Sequence, residues 1–332
     1  MDGILNINKP LGITSFGVVA LVRRLSGERR VGHAGTLDPA ATGVLPVCLG
    51  QGTRVIEFLV DTTKAYRAEI ELGVTTDTYD ATGKVTQRSD PSGISRAQLD
   101  SALASFLGQI QQVPPLYSAL KHQGEPLYKL ARAGLKVELK SRPVNIHKLE
   151  LIDWQLPFVT VEVVCSKGTY IRSIAHDLGQ ILGCGAHLKS LIRLRCGIFD
   201  IKDAVSLPEL EEAFRCGYWQ KFLYPIDSVL SDLSAVVVND DEARNITNGR
   251  PLVLDNASGG VVSDNLQVSL SGDNSLQFRC RAYTLDGSFL AVLRFNAESG
   301  KWHPEKVFAQ STPLSEGTNN EAGLDSLPQI EL

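Results

Sequence analysis

The sequence predicts a mixed α/β (α+β) fold in two domains, and three observations lead there. Segments that alternate apolar and polar residues, as half-buried strands do, are interleaved up to about Asp232 with helical stripes carrying their own start and stop signals. From about Leu233 the texture changes to short strand-like runs. The 332 residues exceed one ordinary domain, and a hydrophobic share of 43 % can fill two cores. The expected organisation is a first domain over 1–232, a second over 233–310 and an acidic, disordered tail over 311–332.

Gly3 to Asn8 alternates as a short strand, and Lys9-Pro10-Leu11-Gly12 breaks it. A helix capped by Thr14 or Ser15 follows, expected to bury Phe16, Val19, Leu21 and Val22, to leave Arg23 and Arg24 in solvent, and to stop at Gly27. Arg29 and Arg30 then read either as ordinary surface arginines or as phosphate contacts. Next comes a loop in which Gly32, Gly35, Gly43 and Gly50 surround a single acid, Asp38. Asp-Pro is ordinarily a turn. Here, however, the acid sits among glycines that allow close approach to the backbone, and the apolar run Gly43 to Leu49 fixes the loop from one side, which makes it a candidate site.

Ala65 to Leu72 alternates again, with Tyr66, Ala68, Ile70 and Leu72 facing inward. Ser95-Arg-Ala-Gln98 is a capping box opening a helix that buries Leu99, Ala102, Leu103, Phe106 and Leu107. Phe158 to Val164 is apolar at nearly every position and is expected to be buried on both faces. Tyr170 and Arg172 share a face if extended geometry persists, and Ile171, Ile174, Ala175, Leu178, Ile181 and Leu182 trace a helical stripe ending at Gly183. In Ser190 to Cys196, alternation places Leu191, Arg193 and Arg195 on one face. An Arg172 buried near Asp38 is costly unless paired, so an ion pair between them is expected.

The net charge of −4 counts on its face against nucleic acid, but Glu316, Glu321, Asp325 and Glu331 of the tail account for all of it. Ala119 to Lys148 carries seven basic residues against Glu125 and Glu138, and Lys167 to Arg195 five against Asp177. Val113 to Gly134 interleaves aromatics with these cations, the composition of flexible nucleic-acid contacts and equally of an amphipathic surface helix. The six cysteines form no C-x-x-C pair and are read as reduced thiols, without a metal. No apolar run approaches the roughly 18 residues of a membrane helix, so a cytoplasmic protein with no membrane association is expected. Ser118-Ala-Leu-Lys121 and Ser263-Asp-Asn265 match two signatures of a serine acyl-enzyme, but the third, K-T-G, is missing.

Gly32-His-Ala-Gly-Thr-Leu-Asp-Pro39 with Ala41-Thr-Gly43, preceded by Leu5 to Ser15 and followed by Lys64-Ala-Tyr-Arg67, Gly73 to Gly83 and Cys165 to Arg172, resembles the motif series of the bacterial tRNA pseudouridine(55) synthases, in family order. Val236 to Pro251, Leu290 to Phe295 and His303 to Phe308 resemble a PUA domain, a small RNA-binding β-barrel, with the strand count over 256–275 left open. The resemblance implies a long, largely antiparallel sheet flanked by helices, followed by that barrel. It also implies a mobile element over Val113 to Gly134 that closes on the tRNA arm.

By the same resemblance, Asp38 is the reacting carboxylate, Tyr66 stacks on the target base, Tyr170 is a base or an orienting group, and Arg172 keeps Asp38 ionised. His33 fills the gap left by the flipped base, Leu191 walls the pocket, and Lys9 and Arg193 contact the substrate. The implied reaction isomerises uridine 55 in the T-arm loop of tRNA. It needs no cofactor and no obligatory protein partner, and a monomer is expected. The alternatives are a non-catalytic tRNA-binding protein or RNA chaperone and, further off, a guide-RNA-dependent synthase.

Overall fold

The chain divides into two units, Met1–Asp232 and a second that starts at Leu233. The computed structural model describes residues 1–254 and 279–308 except Ala119, Gln123, Gly134, Lys136 and Glu138, with backbone alone at Lys121, His122, Pro126, Tyr128, Ala131 and Arg132. The expectations for 256–275 and for the tail lie outside the described residues.

In chain order the first unit holds β1 (Gly3–Lys9), α1 (Ser15–Ser26), β2 (Val31–His33), β3 (Ala41–Leu49), α2 (Ile56–Val60), β4 (Lys64–Leu72), β5 (Val74–Thr76), β6 (Val85–Arg88), α3 (Arg96–Ala104) and β7 (Gly108–Gln112). It continues with β8 (Lys121–His122), β9 (Glu125–Pro126), α4 (Leu127–Arg132), β10 (Arg142–Gln155), β11 (Phe158–Cys165), α5 (Ile171–Leu182) and β12 (Ala186–Cys196). The last elements are β13 (Phe199–Asp200), β14 (Val205–Ser206), α6 (Leu207–Cys216) and β15 (Leu223–Tyr224).

One sheet runs through this unit in the order β14-β1-β3-β12-β4-β11-β10-β7, with β13, β15 and β2 attached at its sides. The pairs β1/β14 and β3/β12 are parallel and the rest antiparallel, so the sheet is long and largely antiparallel, as expected. It carries two apolar clusters. The first joins α3 and α5 to β4, β11 and β12 through residues such as Leu99, Ile174, Leu178, Ile70 and Val161. The second joins α1 and α6 to β1 and β3 through Val18, Val22, Leu210, Ile7 and Leu45. Each such fully buried aliphatic side chain contributes about 1.5–3 kcal/mol relative to exposure.

The parallel β3/β12 pairing positions the site, because it sets Ala41 beside Leu191 and Gly43 beside Arg193, while β4 on the far side of β12 sets Tyr66 opposite Arg193. Gly43 is needed there. Its φ is 103°, and a Cβ would lie 2.3 Å from the Arg193 carbonyl oxygen, so any side chain would push the two strands apart.

Several expectations are corrected. Thr14 caps α1 and Gly27 closes it in the left-handed conformation, but the buried stripe is Val18, Val19 and Val22, and Phe16 at the start of the helix is 65 % exposed. In β11, burial alternates strictly: Val159, Val161, Val163 and Cys165 face helices, while Glu162 on the other face pairs with Arg67. Its apolar composition reflects β-branched strand preference more than two-sided burial. Leu107 and Ile181 are exposed. A register shift in β12 between Arg193 and Arg195 buries the first and turns the second to solvent. Extended geometry ends at Tyr170, which precedes the first residue of α5, so Tyr170 and Arg172 are related by a helix start and not by a strand.

The second unit holds β16 (Ser234–Val237), α7 (Asp240–Thr247), β17 (Arg279–Tyr283), β18 (Phe289–Asn296) and β19 (Lys301–Val307). The strands form a four-stranded sheet in that order, parallel between β16 and β17 and otherwise antiparallel, packed around Val238, Ile246, Leu252, Leu293 and Trp302. Among the described residues this sheet is open, not the expected closed barrel. No described helix is long and apolar enough to cross a membrane.

Candidate active site

The Asp38 loop is held by the first helix. Ser15, buried at the start of α1, donates through Oγ to the Leu37 carbonyl at 3.0 Å and accepts from the Leu37 amide at 2.8 Å. Gly12 N–H donates to the Pro39 carbonyl at 2.9 Å, and Ala41 N–H closes the turn on the Asp38 carbonyl at 3.0 Å. Backbone bonds on both sides of the acid fix its direction without using its carboxylate.

Arg172 reaches that carboxylate, its Nη2 lying 3.0 Å from Asp38 Oδ2. The same nitrogen donates to the Tyr117 carbonyl at 3.0 Å, and Nη1 lies 3.4 Å from Asp80 Oδ2. The guanidinium is buried, with 7 % of its side chain accessible, so two carboxylates offset the cost of removing it from water. Asp80 is saturated in turn: its Oδ1 accepts from Thr78 Oγ1, Thr82 N–H and Thr82 Oγ1 at 2.8, 2.9 and 2.5 Å. The ionisation of Asp38 is a contest between these neighbours. Desolvation raises its pKa, Arg172 lowers it, Asp80 raises it and Lys9 lowers it, with a net upward shift. Burial is the largest of these influences, and Arg172 is the larger of the two cations that oppose it, favouring the ionised form.

A recess in front of Asp38 is lined by Leu37, Tyr66, Tyr170, Arg172, Leu191 and Arg193, together with Lys64 and Thr169. Tyr170 is clamped through its backbone: its N–H donates to Gln112 Oε1 at 2.8 Å and its carbonyl accepts from Gln112 Nε2 at 3.0 Å. The guanidinium of Arg142 lies 4.9 Å from the centre of its ring. Burial pushes the Tyr66 hydroxyl up to about 12, against the pull of the Arg193 guanidinium that hydrogen-bonds it. Arg193 is itself held by the Val44 and Gly35 carbonyls at 2.6 and 2.9 Å.

Six of the eight residues singled out in the sequence, Asp38, Tyr66, Tyr170, Arg172, Leu191 and Arg193, thus line one recess; Lys9 and His33 do not. Lys9 is fully buried behind the loop, donating to the Pro10 and Ile13 carbonyls at 3.0 and 2.8 Å, and burial lowers its pKa to about 8 although Asp38 pulls the other way. His33 lies at the end of β2, paired with Val47 of β3, and its pKa is lowered by burial and by Arg193. Sequence reasoning missed Ser15, Lys64, Gln112 and Asp80. For Asp80 a signal existed, since Thr78 and Thr82 flank it at two residues on either side, the arrangement of a self-capped turn. Among the described residues no group of acidic, His or Cys side chains could hold a metal, and the cysteines are free thiols.

Comparisons with known proteins agree with one another. A model of the N-terminal domain of TruB family pseudouridylate synthases matches residues 23–171, and one of the tRNA pseudouridylate synthase B C-terminal domain matches residues 172–231. Both lie inside the first unit, their boundary falling within α5. A tRNA pseudouridine synthase B of Dehalococcoides mccartyi is 43 % identical over 313 residues, spanning 94 % of this chain and 98 % of its own. The one of Syntrophotalea carbinolica is 53 % identical over 211 residues, 64 % of this chain and 69 % of its own. In a crystal structure of a Cbf5–Nop10–Gar1 complex, one chain superposes with a TM-score of 0.69 at 25 % identity, over 92 % of this chain and 84 % of that one.

Proposed function

The chain belongs to the TruB family of pseudouridylate synthases, and from that premise we propose that it converts uridine 55 in the T-arm loop of tRNA to pseudouridine, with Asp38 as the reacting carboxylate. The enzyme is an isomerase. The N1–C1′ glycosidic bond breaks, the freed uracil turns, and C5 bonds to C1′; the hydrogen on C5 leaves as a proton while N1 gains one, so the formula is unchanged. No electron pair or phosphoryl group enters or leaves, and the chemistry calls for no cofactor.

A single observation carries the reading: an Asp38 carboxylate paired with Arg172 at 3.0 Å at the back of a recess faced by Tyr66 and Tyr170. The target nucleotide leaves its stack to reach that recess, and its base lies against the Tyr66 ring. Asp38 attacks the nucleoside or removes a proton from it. The burial that raises its pKa makes its ionised form more basic and so a better nucleophile or base. Arg172 orients it, and Tyr170, clamped by Gln112, is in place to take or give a proton. Leu191 walls the pocket. Lys9 acts from behind the loop as a charge beside Asp38, and His33 and Arg193 contact the substrate or the strands that frame it.

We further read the second unit as a PUA-like RNA-binding domain and the protein as a cytoplasmic monomer acting without a protein partner; turnover by the purified chain alone, at a monomer's elution volume, tests this. The decisive measurement is tritium release from tRNA carrying 5-tritiated uridine. Asp38→Asn should lose at least about a thousandfold in kcat while binding tRNA with nearly unchanged affinity. Turnover near wild type would refute the role of Asp38, and a wild-type chain that binds tRNA without releasing tritium would favour a non-catalytic RNA-binding protein.

A further inference from the structure

Tyr79 is the only non-glycine residue with positive φ among those described, at 64°, and it immediately precedes Asp80. Side chains rarely adopt this conformation, and where one does the surroundings hold it there. On one side the holding contact is backbone: the Tyr79 carbonyl accepts from Leu188 N–H at 2.9 Å, and Ala81 N–H donates to the Leu188 carbonyl at 3.0 Å. On the other side it is a ring. Tyr79 stacks on His176 with centroids 3.8 Å apart and planes 12° from parallel. The Nδ1 of His176 is buried without a hydrogen-bond partner among the described residues, so the contact this side chain makes to the loop is through its face. Burial lowers its pKa, which favours the neutral ring.

The placement of the two rings is informative. His176 lies four residues after Arg172 on α5, one turn along the same face, and Tyr79 is the chain neighbour of Asp80. The loop and the helix are therefore joined by two successive rungs, the Asp80–Arg172 ion pair at 3.4 Å and the Tyr79–His176 stack at 3.8 Å. Neither ring lines the recess in front of Asp38.

We propose that Tyr79 and His176 are positioning residues for catalysis: their stack holds Asp80 against Arg172, and so fixes the guanidinium that orients Asp38. The proposal rests on the reading of Asp38 and Arg172 as catalytic. It distinguishes the stack from a staple that only stabilises the fold, because the loss it predicts falls on kcat and not on tRNA binding.

Steady-state kinetics of tritium release test it, with thermal melts establishing that each variant is folded. Tyr79→Gly, which relieves the backbone and removes the ring, and His176→Ala, which removes the partner from the helix side, should each lower kcat by about tenfold or more with KM for tRNA within about twofold of wild type. The double variant should be no slower than the slower single one, since both remove the same contact, and Tyr79→Phe, which keeps the ring, should restore most of the loss. Wild-type kcat in both folded single variants, a loss confined to KM, or additive losses in the double variant would overturn the proposal. Asp38→Asn in the same assay separates the two levels: if it retains turnover the underlying reading fails as well, whereas if it is inactive and the stack variants turn over normally only the positioning role fails.

Discussion

Two loops deliver a carboxylate to the same guanidinium, and they do it in opposite ways. Asp38 is held by its backbone, through Ser15, Gly12 and Ala41, and its side chain remains 43 % accessible with Arg172 at 3.0 Å. Asp80 is held by its side chain, through Thr78 and Thr82, and is 12 % accessible with Arg172 at 3.4 Å. A carboxylate with its oxygens committed to donors has little left to react with. One whose loop is fixed while its oxygens stay open is free to meet a substrate. On the proposed mechanism the difference assigns the roles in a cluster of two acids and one base: Asp80 anchors Arg172, and Arg172 aims Asp38.

The comparison is broken most severely at Asp38 itself, where replacement by Asn removes the proposed reacting group and the loss described above is expected. Asp80→Asn keeps the threonine turn and removes only the charge. It should lower kcat by about 10- to 100-fold through a looser Arg172, with tRNA binding retained, a difference visible in single-turnover tritium release. The pH profile sharpens the contrast. In the proposed reaction it is ionised Asp38 that acts, so kcat/KM should fall as pH drops through its pKa, which lies above the ordinary 3.8. Asp80 contributes to that elevation and Lys9 opposes it; Asp80→Asn should therefore move the acid limb to lower pH and Lys9→Met to higher pH. The smallest effect is expected at the latch. Ser15→Ala leaves the Leu37 amide and carbonyl without their buried partner, costing about 1–3 kcal/mol of stability by thermal or denaturant melting, with a modest loss of kcat.

Local rules read correctly where the deciding interaction is local. Thr14 and Gly27 bound α1, the Ser95 box opens α3, Gly183 closes α5, and the alternation of β4 turns Tyr66 inward. Periodicity failed where composition and position disagree: β11 is apolar on a face that is only half-buried, Phe16 is exposed at a helix start, and one bulge reverses Arg195. A strand's apolar content does not say how many of its faces are covered, and a single inserted residue inverts all that follow it.

The sequence by itself determined that a rigid, glycine-rich loop presents one acid, that helices with clear caps flank strands, and which motif series the chain carries. Each cap, strand pattern and single motif among these is contained within a few consecutive residues. Only the tertiary structure decided that Arg172, far along the chain from Asp38, is shared with an acid from a second loop, that burial and the guanidinium pull the Asp38 pKa in opposite directions, and that a tyrosine in the left-handed conformation leans on a histidine one turn past that arginine. Charge partners and desolvation depend on which distant segments the sheet brings together, and no pattern of period two or 3.6 encodes that choice.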